Sequence, residues 1–94
     1  MSFSEIAYLL GTAQDSLAAA KLVSGGTAAR LRKDARLLLD QAGTLAQAQP
    51  ELLHPVHGLG VIVGVTRDCQ LLVTFGRDPF TEQYSIDEAK QWAL

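Results

Sequence analysis

Residues 54–63 read HPVHGLGVIV, and the interpretation of this stretch decides the fold of the second half of the chain. Two histidines, a proline and two glycines fall within seven positions, and a β-branched run follows. Proline fixes φ, and glycine accepts positive φ or a β-bulge, so this composition is typical of a tight corner that opens a strand. We therefore predict that five residues have a structural turn role: His54, Pro55, His57, Gly58 and Gly60.

A metal or catalytic site at the two histidines is the alternative to a turn. Zinc takes three or four protein ligands, and beyond His54 and His57 the chain offers only Cys69 and acids without a second pair at motif spacing. A His–Cys catalytic pair is disfavoured because Cys69 falls in a predicted hairpin turn. Gly58 and Gly60 open a strand and not a helix, which argues against a phosphate-binding loop. We expect no metal, no cofactor and no enzymatic activity.

The residues around this stretch predict a small antiparallel barrel or sheet. β-Branched and aromatic runs, bounded by turn residues at 67–70 and 76–79, indicate the strands. These are expected at residues 52–56, 60–66, 70–75 and 81–84. Ser85 and Glu88 have capping-box spacing, which predicts a short C-terminal helix.

The first half of the chain predicts two antiparallel helices. Ser2 and Glu5 have capping-box spacing, and Gly25 or Gly26 can end the first helix, after which Thr27 can cap the second. Apolar residues recur every three or four positions in both helices. The two stripes are Ile6, Leu9, Leu10, Ala13, Leu17 and Ala20, and Leu31, Ala35, Leu38, Ala42 and Leu45. The predicted class is α+β, with a helical hairpin at 1–49 and the strands with the terminal helix at 50–94, as one compact unit.

Composition and charge narrow the function classes. The chain has 94 residues, a net charge of −2 and a pI near 5.5. Residues 51–94 carry three basic and six acidic groups, a net −3, which argues against a dedicated nucleic-acid-binding domain. One cysteine rules out a disulfide within the chain and is compatible with the cytoplasm, where we expect the protein. No apolar run approaches the ~18 residues of a membrane span, and the N-terminus is unlike a signal peptide.

The opening of the strand region resembles that of the small Tudor-like barrels in the CarD family and in transcription-repair coupling factors. The shared pattern is a proline, a spacer, His-Gly, an apolar residue, a glycine and a β-branched pair, here Pro55, His57, Gly58, Leu59, Gly60, Val61 and Ile62. The C-terminal extension of UvrD-type helicases is similar, with His-Pro in the places of His54 and Pro55 and a strand like Val73-Thr74-Phe75. The resemblance covers about residues 52–86.

This resemblance implies a Tudor-like barrel that docks on the β subunit of RNA polymerase. We therefore expect a non-enzymatic protein-interaction module, acting on RNA polymerase or on another component of transcription or DNA repair. The expected contact is the strand at 60–66 with its flanks, through an exposed strand edge in the hairpin VTRDCQLLV at 65–73. The partner-binding residues are predicted to be Val61, Val63, Val65, Arg67, Arg77 and Tyr84.

Two features of the second helix suggest further contacts. Arg30, Arg32, Lys33 and Arg36 lie near its start, where positive charge opposes the helix dipole. Such a cluster could contact phosphates or an acidic partner, and nucleic-acid binding through it is the alternative function. The competing interpretation is a solvated face with Arg36 and Asp40 paired at i, i+4. Leu37 and Leu39 flank the apolar stripe, which predicts a homodimer formed through the helical hairpin.

Overall fold

The computed structural model describes residues 3–76 and 80–94 and confirms the α+β class. Its elements, in chain order, are α1 (Phe3–Ala20), α2 (Gly25–Ala46), β1 (Glu51–His54), β2 (Gly58–Val65), β3 (Leu71–Phe75), β4 (Phe80–Tyr84) and α3 (Ile86–Lys90). The predicted cap at Ser2 and most of the predicted turn at 76–79, including Arg77, lie outside the described residues.

The two long helices pack along the apolar stripes that the sequence predicts. The buried residues of α1 are Ile6, Leu10, Ala13 and Ala20, and those of α2 are Ala28, Ala35, Ala42 and Ala46. Because every buried position in α2 is an alanine, other elements can approach its backbone closely.

The cap of α2 differs from the prediction. The helix begins at Gly25, two residues before Thr27, and Gly25 itself has a left-handed φ of +66°. The N-cap is Ser24, with φ −135°, and its side chain makes no capping hydrogen bond. Thr27 therefore lies inside the first turn of the helix.

The four strands form an open antiparallel sheet in the order β1-β2-β3-β4, the second of the two predicted arrangements. The outer edge of β1 is joined by the C-terminus, through a bridge between Leu52 and Ala93 and a 2.8 Å hydrogen bond from the Leu53 N–H to the Trp92 carbonyl. Among the described residues, β4 pairs with β3 alone.

The predicted strand edge at 65–73 is covered along β3. All of β3 is paired, with β2 on one side and β4 on the other. β2 pairs with β1 through Val61, and the Ile62 N–H donates to the Pro50 carbonyl at 2.8 Å. In the described part of the chain, β4 pairs on one side alone, and β2 has no strand partner on its β1 side beyond Ile62.

A β-bulge in β2 changes which face its last residues occupy. The pairing register with β3 shifts between Ile62 and Gly64. Before the shift, Gly60 and Ile62 point to the buried face. After it, Gly64 pairs with the outward Leu72, and Val65 pairs with the buried Leu71. Val65 therefore packs against the core and does not share the outer face with Val61 and Val63.

One hydrophobic core joins the helices to the inner face of the sheet. It contains Ile6 and Leu10 from α1, Ala35, Ala42 and Ala46 from α2, and Leu52, Ile62, Leu71, Val73 and Phe75 from the strands. The helical hairpin extends beyond the sheet, so the molecule measures 47 × 21 × 21 Å.

Helix α3 begins at the capping box that the sequence predicts. The Ser85 hydroxyl accepts from the Glu88 N–H at 3.1 Å, and the Glu88 carboxylate accepts from the Ser85 N–H at 2.9 Å. This helix leads the chain back to the edge of β1.

Candidate functional site

The His54 side chain organises the corner between β1 and β2. Its Nδ1 accepts hydrogen bonds from the N–H groups of Val56, at 3.0 Å, and His57, at 3.1 Å. Because both partners are donors, Nδ1 is the acceptor that holds this turn together. Pro55 and Val56 are exposed in the turn, and Gly58 completes it with φ +78°.

Gly60 acts by packing, and neither positive φ nor a bulge accounts for it. A Cβ added there would lie 2.5 Å from the Phe75 Cε1 atom and 2.9 Å from a Val73 methyl. The Phe75 ring therefore rests on the bare backbone of β2. The bulge occurs further along, at Ile62–Gly64.

The two histidines belong to a cluster of rings at one end of the sheet. His54 lies 4.6 Å from His57 and 4.5 Å from Trp92, measured between ring centroids. The other members are Phe75, Phe80 and Tyr84. The short turn and the return of the C-terminus bring these rings together, which places both histidines among aromatic neighbours.

The structure contradicts the prediction that Tyr84 contacts a partner. Only 8% of Tyr84 is exposed, and its ring packs edge-on against Trp92 and Phe75. Burial, followed by the nearby charges of Glu82 and Glu88, raises the pKa of its phenol. Tyr84 is the inward-facing end of β4 and part of the core.

Cys69 is buried in the turn between β2 and β3. It has a left-handed φ of +62°, and the turn is closed by Thr66, whose hydroxyl oxygen accepts from the N–H groups of Asp68 and Gln70. Burial, followed by the charge of Asp68, raises the pKa of the Cys69 thiol. A buried thiol with a raised pKa is a poor nucleophile. Within residues 3–76 and 80–94, no three histidine, cysteine or acidic side chains are grouped as a metal site would require.

The outer face of the sheet is apolar along β1 and β2. Leu53 is 54% exposed, Leu59 52% and Val63 41%. Val61 and Leu72 are half-buried and lie on the same face. Each is next to buried residues in its own strand, and successive side chains of a strand point to opposite faces. Toward β4 this face becomes polar, and the hydroxyls of Thr74 and Thr81 meet there at 3.4 Å. We call Leu53, Leu59, Val61, Val63 and Leu72 the outer-face patch.

A cavity of about 420 Å³ lies between α2 and the end of β2. Arg32 and Arg36, four residues apart on α2, line it together with Arg67 from the β2–β3 turn. The sequence predicts Arg67 as part of one surface and the two helical arginines as part of another, and the fold joins them. The remaining lining residues are Leu17, Ala35, Leu39, Asp40, Gly43, Val65 and Thr66. We call this space the arginine cavity.

The other residues of the predicted basic cluster lie elsewhere. Arg30 and Lys33 are exposed and do not line the arginine cavity. In the described part of the chain, Arg36 makes no ion pair with Asp40 or any other acid within 4 Å. The sequence gives no sign that Thr66 or Gly43 belongs with these arginines, because their proximity arises only from the packing of α2 on β2.

The two leucines predicted for self-association differ in exposure. Leu37 is 52% exposed, whereas Leu39 packs against the core and lines the arginine cavity. Leu39 is therefore partly buried on the side of α2 that faces β2. Leu37 remains available on the outer surface of α2.

Comparisons with protein families, curated proteins and solved structures found no match to this chain. No helix in residues 3–76 and 80–94 combines the length and the apolarity needed to cross a membrane.

Proposed function

We propose that this protein is a non-enzymatic protein-interaction module whose outer-face patch docks on a partner. The observation that carries the proposal is the exposure of three large apolar side chains, Leu53, Leu59 and Val63, on one face of the sheet. The helices occupy the opposite face, so this face has its apolar side chains in contact with solvent. Clustered exposed apolar side chains on a small domain are characteristic of protein interfaces.

The position of the patch favours docking through side chains over the addition of a strand. β1 and β2 are central or covered along most of their length, so their backbone groups are already bonded. What they offer is a row of leucine and valine side chains flanked by Glu51 and Thr74. An apolar centre with a polar rim is the usual anatomy of a protein–protein contact.

RNA polymerase, through its β subunit, is the partner that we propose. This choice rests on the resemblance of residues 52–86 to Tudor-like barrels that dock there. A role in transcription or DNA repair in the cytoplasm would follow. Nucleic-acid binding is the alternative function, and it would use the exposed basic residues of α2 instead of the sheet.

The test measures binding of purified host RNA polymerase to the immobilised protein by biolayer interferometry. Val63→Glu places a charge in the patch and is expected to abolish binding without unfolding the protein, because its side chain is 41% exposed. Val23→Glu is the matched control, since Val23 is 44% exposed at the far end of the hairpin. Binding that survives Val63→Glu, or that Val23→Glu reduces equally, would refute docking through the patch.

A further inference from the structure

We infer that the arginine cavity binds a small organic anion that carries a carboxylate or a phosphate on an apolar body. This site is separate from the outer-face patch and goes beyond the proposed docking function. Its volume of about 420 Å³ is within the range of small-molecule pockets. Its walls come from α1, α2 and the β2–β3 hairpin, so the site exists only in the folded molecule.

The charge of the lining points to an anion. Three guanidinium groups, Arg32, Arg36 and Arg67, and one carboxylate, Asp40, leave the lining at +2. The chain as a whole carries −2, so this positive region opposes the overall balance. Among the described residues none of the three arginines forms an ion pair within 4 Å, so their N–H donors remain open to a ligand. Guanidinium groups bind carboxylate and phosphate oxygens in bidentate fashion.

The rest of the lining requires an apolar body. Leu17, Leu39 and Val65 form apolar walls. Gly43 has no side chain to fill the cavity, and a Cβ added there would lie 3.9 Å from a Val65 methyl. Thr66 adds one polar group: its oxygen already accepts two backbone hydrogen bonds, so its hydroxyl proton is available to donate. A free inorganic ion would leave the apolar walls without a contact.

The arrangement suits a small molecule better than a nucleic-acid backbone. A phosphate backbone is bound by a row of exposed cations. Arg32, Arg36 and Arg67 are exposed too, but they line one cavity with apolar walls, and Arg30 and Lys33 lie outside it. Nucleic-acid binding is therefore an outcome that would contradict the inference.

The first experiment titrates ¹⁵N-labelled protein with octanoate and with octyl phosphate, and follows amide chemical shifts. Saturable shifts confined to the surroundings of Leu17 and to residues 32–43 and 65–67 are expected, and the tighter ligand of the two identifies the head group. Octanol is the neutral control and inorganic phosphate tests the apolar body. Equal affinity for octanol would exclude recognition of charge, and equal affinity for inorganic phosphate would exclude recognition of the apolar part.

The second experiment repeats the titration on variants. Arg36→Gln and Arg67→Gln are each expected to weaken binding of the preferred anion about tenfold, the loss of a charge-assisted hydrogen bond. Arg30→Gln, on the same helix but outside the cavity, is the matched control and should bind like the unchanged protein. Thermal unfolding confirms that each variant is folded. An equal loss in Arg30→Gln, or a DNA duplex that binds more tightly than either anion at physiological salt, would overturn the inference.

Discussion

At the scale of single residues, His54 determines the corner that opens the sheet. Its Nδ1 takes the place that an aspartate or asparagine oxygen occupies in an Asx turn, accepting backbone N–H groups two and three residues ahead. Its ring also packs against Trp92 and His57. One side chain thus satisfies the turn and connects it to the C-terminus.

The two roles of His54 can be separated by substitution. His54→Ala loses both the acceptor and the ring, and is expected to lower the free energy of unfolding by about 1–3 kcal/mol. His54→Asn keeps an acceptor and His54→Phe keeps a ring, so each should recover part of the loss. Urea unfolding followed by circular dichroism measures all three. If His54→Asn and His54→Phe are both as unstable as His54→Ala, the two roles are not separable.

Gly60 is the residue at which a side chain should be least tolerated in β2. Gly60→Ala is expected to cost about 1–3 kcal/mol of stability, because the new methyl overlaps the Phe75 ring. Gly64→Ala, in the same strand, is the control: its Cβ would meet a Leu72 methyl at an ordinary 3.5 Å. Its stability should stay within about 0.5 kcal/mol of the unchanged protein. Equal unfolding midpoints for the two variants would contradict the packing role of Gly60.

At the scale of elements, the sequence predicts every helix and strand that the structure describes. Periodicity identifies the helices, β-branched runs between turn residues identify the strands, and the Ser85–Glu88 spacing identifies α3. These signals are local, since each depends on residues close together in the chain. The sequence does not reveal the bulge at Ile62–Gly64, because that depends on how β2 pairs with β3. The misassigned face of Val65 follows from it.

The same distinction applies to the candidate sites. Tyr84 has a polar tip and Leu39 lies beside the apolar stripe of α2, so the local pattern does not predict that either is covered. In the fold, Tyr84 packs against Trp92 near the C-terminus, and Leu39 lies beside β2. The arginine cavity is the opposite case. Arg67 is 31 positions from Arg36 in the numbering of the chain, so only the packing of the hairpin on the sheet could unite them.

The capping box of α3 provides a test at the scale of elements. Ser85→Ala removes the acceptor of the Glu88 N–H and should cost about 1 kcal/mol. A helix of five residues has little stability of its own, so the loss should also loosen the bridge between Leu52 and Ala93. Hydrogen exchange of the Leu53 amide, which donates to Trp92, would report this loosening. Ser16→Ala, inside α1, is the control and should leave that amide as protected as before.

At the scale of the whole molecule, the long axis of 47 Å exposes both flanks of the helical hairpin to solvent. Large apolar side chains lie on those flanks: Tyr8 on α1 is 72% exposed and Leu37 on α2 is 52% exposed. The inner sides of the helices are occupied by each other and by the sheet. The hairpin thus has an apolar surface that its own chain does not cover, which is the basis for predicting a homodimer.

Sedimentation equilibrium from low to high micromolar concentration tests this prediction, and a monomer–dimer equilibrium is expected. Leu37→Glu should shift it toward the monomer, because burying a carboxylate in an apolar contact costs far more than the leucine contributes. Val23→Glu, at the tip of the hairpin, should leave the dimer intact and shows whether added charge alone disperses the protein. A monomer at every concentration would exclude self-association. A Leu37→Glu protein that remains dimeric would place the contact on another surface. The outer-face patch would then be tested next, because its leucines are exposed to a similar degree as Leu37.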